Sequence, residues 1–524
     1  MLEGKTSRRT GNLLDEQLLG VEDDAGQRDR VTLPGLLARL SRGQPTALTA
    51  VQAYQQHAVH AFLVQLAAVS LTKAGDVEIV HDEAGWRELL LRAARDDGAG
   101  AEAFTLVVGD LSLPAFLQPP VPEGELDVLK SEHRWPSAEL DVLITAKNHD
   151  VKIDRIEHPN VEHWIFALLT LQTMQGFLGA GNYGIARMNG GFASRPCVAF
   201  APEHGAAARF VRDVQALIAS RDSLVDTFGF GASGHLGLVW CAPWDGTKSL
   251  GFADLDPFFV EVCRRIRLTA DDSGVLVAHR GSSKVARIDA KESNGNTGDA
   301  WTPVAHKDGK ALTMPEAGFS YARVQGLLFD DEWSPGAAGV ARAGAGDRLW
   351  LGQVLVRGQG KTGGYHERWV PVPPKARASL VRRDARAKLA ERSKAWVQLA
   401  EIAEHKVLKP AVLTLLQGAP ESLKFDDHRG GIFLRQLDAA IDDVFFKLLF
   451  EHGEAPPEDA DAVFQRELLA LAKDQLDAAR ASLPVPTARR WRAEAQAYRV
   501  FYGAAHKHLP STATSTEATP GDSP

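Results

Sequence analysis

From about Lys375 to residue 510 the apolar residues hold a helical period of about 3.6, and no feature restricts the fold more. Leu389, Trp396, Leu399, Ala403 and Val407 form one stripe, and Leu434, Leu437, Ile441, Val444 and Leu448 a second. Phe464, Leu468, Leu471 and Leu476 form a third, and Trp491, Ala495, Tyr498 and Tyr502 a fourth. Turn signals separate them: Gly418 to Pro420, Gly453 to Pro457, and Pro484 to Pro486 with Thr487 as the expected N-cap. Four long amphipathic segments with short connections predict a four-helix bundle. Residues 511–524 are rich in Ser, Thr and Pro and are expected to be disordered.

Ahead of Lys375 the pattern is mixed. Helices are predicted over Leu33–Leu40, Ala47–Leu71, Ala84–Arg95, Val161–Leu178 and Ala206–Ser220. In the second, Ala58, Phe62, Leu66 and Val69 share a face. Strands are predicted at Phe104–Val108, Val198–Ala201, Leu236–Trp240, and from Pro257 towards Leu268. Asn294-Gly295 is a hairpin signal. Leu349–Val356 and Tyr365–Val372 read as a ribbon with a glycine-rich tip, Arg357–Gly364. A chain of 524 residues exceeds one core. The fold class is therefore α+β: a large mixed α/β N-terminal domain (1–374) followed by a C-terminal four-helix bundle (375–510).

The net charge of −8 and pI near 6.1 mean that any nucleic-acid contact is local, since stand-alone nucleic-acid binders are usually basic. Cys197, Cys241 and Cys263 form no CxxC pair, which predicts a reduced, cytoplasmic protein without structural zinc. No apolar leader opens the chain, and the apolar stretches are short and broken by Gln or His, so no membrane partner is expected.

Chemistry concentrates between Lys147 and Pro196. A polar segment carrying Lys147, Asn148, His149, Lys152 and Arg155 precedes an apolar helix. The helix breaks into Gly179, Gly181, Gly184, Gly190 and Gly191, beside Arg187 and Arg195. Glycines at this density let another molecule approach the backbone, and the arginines suggest a phosphate-bearing polymer. Gly179–Gly184 fits G-x-G-x-x-G, but a dinucleotide site requires a preceding strand and a following helix. It reads more readily as a loop that ends a helix. His149, Asp150, Asp154, His158 and His163 could hold a metal ion, or could be a solvated loop leading to a helix N-terminus.

The run QTMQGFLGAGNYGIARMNGGFASRP (residues 172–196) resembles CasA, the large subunit of the type I-E CRISPR Cascade surveillance complex. NLLDE (Asn12–Glu16), PAFLQPP (Pro114–Pro120), LDPFFVEVCRRIRL (Leu255–Leu268) and the helical last quarter extend the resemblance. It implies a non-catalytic subunit that recognises the protospacer-adjacent motif, a short duplex flag, and helps to start R-loop formation. The implied partners are the backbone and small Cascade subunits, guide RNA, double-stranded target DNA and a helicase–nuclease. The glycine loop at Met188, Asn189, Gly190 and Gly191 would meet the minor groove, as would Lys248. Gln359, Gly360 and Lys361 would form a hairpin wedge between the strands. Lys147, Asn148, His149 and Lys152 would lie on a loop near the guide RNA or the body of the complex. No cofactor is expected, and no GxSxG, Walker A or paired CxxC argues for catalysis. The alternatives are a metal-dependent nuclease built on His149–His163, or a nucleotide-binding enzyme built on Gly179–Gly184.

Overall fold

The structure, a computed structural model, describes residues 10–76, 78–122, 124–129, 160–190, 195–202, 205–232, 234–270, 276–330, 332–342, 346–358 and 361–509. The chain divides into two compact units: Met1–Gly318 with Glu332–Trp369, and Phe319–Asp331 with Val370–Pro524. The class is α+β, with strands gathered in sheets of two or three. Among the described residues no helix is long and apolar enough to cross a membrane.

The core of the first unit forms around the helix Gln56–Ala74. Ala58, Phe62, Leu66 and Val69 are buried, as expected, but so are Val64, Ala67, Ala68 and Leu71. A helix apolar all round is one surrounded by partners, here the helices Glu83–Asp96, Val161–Met174 and Gly205–Phe228. The helix starts at Gln56, well after the expected Ala47. Ala47–Leu48 is instead a strand, with Val21 opposite Leu48, and Thr49 N–H donates to the Gly20 carbonyl at 3.0 Å. Thr49 and Val51 are β-branched and favour the extended chain that this pairing needs. Gly75, at φ +75°, closes the helix in the left-handed conformation.

The helix Val161–Met174 opens with a reciprocal cap. Asn160 Oδ1 accepts from His163 N–H at 3.0 Å, and His163 Nδ1 accepts from Asn160 N–H at 3.3 Å. It ends before the expected Leu178, because Gln175 turns extended and Arg264 Nη2 takes the Gly176 carbonyl at 2.7 Å. A three-stranded sheet places Asp347–Gly358 between Cys197–Pro202 and Lys361–Pro371. The strands run to Gly358 and resume at Lys361, so Gly363 and Gly364 lie within a strand, outside the tip expected from the sequence. Gly363 is there for space, since a Cβ would sit 3.1 Å from Glu316 Cγ and from Val356 Cγ1. Asn294 and Gly295 both take positive φ, as a tight turn requires, but no strands flank them.

The second unit is helical. Its long elements are Arg383–Ile402, continued by a π-turn over Ala403–Leu408 into Lys409–Gln417, then Gly431–His452, Pro457–Ser482 and Thr487–His508. Trp396 stacks on Phe464 with ring centroids 4.2 Å apart, and Phe445 meets both rings edge-on. The Trp396 indole N–H donates to Asp461 at 2.8 Å. The helix Tyr321–Phe329 packs with this unit. Gly418, in the left-handed region, ends the first long helix. Thr487 is the first residue of its helix and not the cap; Pro486 holds the cap position.

Two of the expected stripes are rotated. In Gly431–His452 the buried face is Phe433, Leu437, Ile441, Phe445 and Leu449, while Leu434, Val444 and Leu448 flank it. In Thr487–His508 the buried face is Ala493, Ala497, Phe501 and Ala505, and the expected inward residue Trp491 is 84% exposed. Small residues let this helix lie close against Lys409–Gln417, while Trp491 and Tyr502 face outward.

Candidate nucleic-acid interface

The glycine loop and the Lys248 turn, distant in sequence, are built onto one strap. That strap is the segment 281–287, which leaves the antiparallel strand pair Arg265–Ala270 and Leu276–Gly281. On one side, Ser283 N–H donates to the Gly181 carbonyl at 3.1 Å, and the Tyr183 hydroxyl donates to the Lys284 carbonyl at 2.9 Å. On the other side, Lys284 N–H donates to the Gly246 carbonyl at 2.6 Å and Ser249 Oγ donates to the Ala286 carbonyl at 2.7 Å. Gly246 is at φ +83°, and a Cβ there would lie 3.1 Å from Ser283 Cα. Only glycine allows this approach.

Buried arginines give the loops their shape. Arg264 is 1% exposed, and its guanidinium donates to the carbonyls of Gly176, Tyr183 and Cys263. Arg280 donates to the Asn182 side chain. Arg287 donates to the carbonyls of Ala242 at 2.9 Å and Pro243 at 3.2 Å, with its guanidinium carbon 5.3 Å from the centre of the buried Trp244 ring. Burial lowers the Arg280 and Arg287 guanidinium pKa values to about 10, so both stay charged at neutral pH. Carbonyls are the direct hydrogen-bond partners of Arg264 and Arg287, which ties each cation to the path of the backbone.

Side chains of the loops divide into anchors and presented groups. Met188 is buried with Ile185 and Cys263, so it anchors the loop. Asn189 is half-buried and Gly190 exposed, with φ +46°. Lys248 and Lys284 are both exposed. Asp245 accepts from Thr247 N–H and hydroxyl at 2.8 Å, which fixes the turn that presents Lys248 and holds the Asp245 carboxyl below the usual range. Lys284 was not legible as a candidate, because nothing near it in sequence marks the strap. The sequence signal for the braced glycine loop was Arg264 within an apolar run, since a buried arginine must find acceptors.

Arg187 and Arg195 do not face a polymer. Arg187 is 3% exposed, pairs with Glu261 at 3.1 Å and lies 3.6 Å over the Phe259 ring. Arg195 is 1% exposed and makes a two-pronged pair with Asp299. Both act as internal struts. Gly179–Gly184 follows a helix and opens none, so the dinucleotide arrangement is absent from it. Of the His/Asp cluster, His163 caps a helix, and His149, Asp150, Asp154 and His158 lie outside the described residues. Among the described residues no three His, Cys, Asp or Glu side chains converge as metal ligands. The three cysteines are free and buried, and burial raises the Cys263 thiol to about 11.

Lys147, Asn148, Lys152, Gly191, Gln359 and Gly360 also lie outside the described residues. Lys361 opens the second ribbon strand.

No protein-family model and no curated protein matches the chain. Solved structures do. Thermus thermophilus CasA (Cse1) superposes with a TM-score of 0.60 at 16% identity, over 95% of this chain and 100% of that one. Thermobifida fusca Cse1 gives 0.61 at 14% identity, over 96% and 98%. A chain of a CRISPR RNA-guided surveillance complex gives 0.59 at 13% identity, over 95% and 99%. The chain therefore has the Cse1/CasA fold over about 95% of its length.

Proposed function

We propose that the chain is the large, non-catalytic subunit of an RNA-guided DNA-surveillance complex of the type I-E Cascade kind. The observation that carries this is the likeness of fold over nearly the whole of both chains. The geometry of the strap agrees with it. An exposed glycine turn and two exposed lysines, carried on loops braced by buried arginines, suit a preorganised contact with a duplex backbone and minor groove. The minor-groove code is degenerate, so the subunit reads a short flag while guide RNA reads the rest by base pairing. Asn189, Gly190 and Gly191 approach the groove, with Met188 anchoring them, and Lys248 and Lys284 meet phosphates. Gln359, Gly360 and Lys361, between the two ribbon strands in sequence, wedge the first base pairs apart. Lys147, Asn148, His149 and Lys152 reach the guide RNA. The remaining partners are the Cascade backbone and small subunits and the helicase–nuclease that the complex recruits.

The test is reconstitution with the backbone subunits, small subunits and guide RNA of a type I-E complex. The assembled complex is expected to open flagged duplex, read by permanganate footprinting. Lys248→Ala with Lys284→Ala is expected to weaken duplex binding. It should also lower the salt slope by roughly 2, because each phosphate left without its lysine subtracts about 0.9. A chain that fails to join the complex, or an unchanged slope, would overturn the reading.

A further inference from the structure

The first unit contains a cavity of about 740 Å³, lined by none of the strap's residues, between the helices Leu33–Ser41, Gln56–Ala74 and Gly205–Phe228 and the end of the ribbon. Such a volume falls within the range of roughly 300–1,000 Å³ typical of small-molecule sites. Leu40, Leu63, Phe210 and Trp369 supply apolar wall, and His60 and Arg209 supply polar groups.

The polar end is built, and its charges are unequally served. Asp213 accepts from His60 Nε2 at 2.8 Å, Arg212 at 3.0 Å and the Trp301 indole at 3.1 Å. Arg212 has Asp347 as well, at 2.7 and 3.2 Å. Arg209 has far less. It donates to Gln353 Oε1 at 3.3 Å, lies 3.8 Å from Asp213, and its buried Nε has no hydrogen-bond partner. Gln353 is turned so that its carbonyl faces Arg209, because its amide donates to Tyr365 and to Glu367 at 3.0 and 2.8 Å. Burial and the Arg209 charge hold His60 neutral, with its pKa near 4. With Nε2–H given to Asp213, its Nδ1 is left as an acceptor.

We propose that this cavity binds a small monoanionic organic acid with an apolar body, its carboxylate taken by Arg209. A guanidinium with free donors matches a carboxylate, and the walls match hydrocarbon. Asp213 and Glu367 stand too near for a phosphate dianion to be favoured.

The test uses the full chain with 1-anilinonaphthalene-8-sulfonate as a fluorescent monoanion, displaced by decanoate, decanol or phenyl phosphate. One equivalent is expected to bind saturably, with decanoate displacing it at least tenfold better than decanol or phenyl phosphate. Arg209→Gln should abolish the preference for decanoate over decanol, and Leu63→Trp, which thrusts a larger ring into the cavity, should weaken dye binding at least fivefold. Should Arg209→Gln fail to fold, Gln353→Glu places a carboxylate against Arg209 and should cut the decanoate preference at least fivefold. Non-saturating dye binding, equal displacement by phenyl phosphate, or a preference that survives either folded variant would overturn the proposal. Lys248→Ala with Lys284→Ala should leave dye binding unchanged, which separates this site from the nucleic-acid surface.

Discussion

At the residue scale the molecule turns on buried ionisable groups. Arg264 holds three carbonyls of and around the glycine loop. Removing it leaves buried acceptors unmet, a cost of about 2–4 kcal/mol. Arg264→Met is expected to lower stability by that order in urea unfolding and to speed proteolysis within 176–190. Unchanged cleavage would deny the bracing role. His57 gives a pH prediction. It is 1% exposed, neither ring nitrogen has a hydrogen-bond partner, and burial depresses its pKa to about 3. His60 is depressed to about 4. The unfolded chain binds these protons near pH 6.5, so the neutral folded forms contribute fully above that pH. Stability then falls as pH drops from about 6.5 towards 4, by about 1.4 kcal/mol per unit for each histidine. His57→Phe, against the neighbouring Tyr365 ring, should flatten that dependence between pH 7 and 5, measured by urea midpoints. An equally steep profile in the variant would show that His57 does not titrate this way.

At the element scale, what the sequence made legible was period, and what it hid was phase. All four long segments of the second unit were readable as helices, because 3.6-residue periodicity survives any choice of face. The inward face of Thr487–His508 was not readable. Trp491 and Tyr502 carry more apolar area than Ala493 and Ala497, yet close helix approach selects the alanines. Phe501→Ala is accordingly expected to cost about 3–5 kcal/mol, and Trp491→Ala less than about 0.5 kcal/mol, both read from chemical denaturation. The reverse order would restore the aromatic stripe as the core. Pro410 shows a different limit. It lies inside a helix that continues, because the chain takes a π-turn over Ala403–Leu408 just before it. A local loosening of the hydrogen-bond ladder there accommodates the missing N–H. In the first unit, the element types at Leu33–Ser41 and Glu83–Asp96 were legible from Pro34 and from the apolar spacing at Trp86 and Leu90. The strap was not, because it joins Gly181, Gly246 and Ser283 through backbone hydrogen bonds that leave no side-chain pattern.

At the scale of the whole molecule, 59 Lys and Arg are outnumbered by 67 Asp and Glu, so a chain of net charge −8 does not attract DNA as a whole. The isolated protein is expected to bind short duplexes weakly, with affinity falling steeply between about 50 and 200 mM salt. Nanomolar, sequence-specific binding by the lone chain at physiological salt would refute a division of labour with guide RNA. The exposed Trp491 has an optical consequence. Among the described tryptophans, Trp86, Trp164, Trp240, Trp244, Trp301, Trp350 and Trp396 are buried, Trp333 is half-buried and Trp369 is 44% exposed, whereas Trp491 is the most exposed, at 84%, among the exposed Arg490, Arg492 and Arg499. The intrinsic fluorescence of the unlabelled chain should therefore contain a red-emitting component that iodide, drawn by the arginines, quenches more strongly than caesium does. In the proposed complex a partner that covers this helix face would shield Trp491, and the unlabelled chain would then report its own assembly.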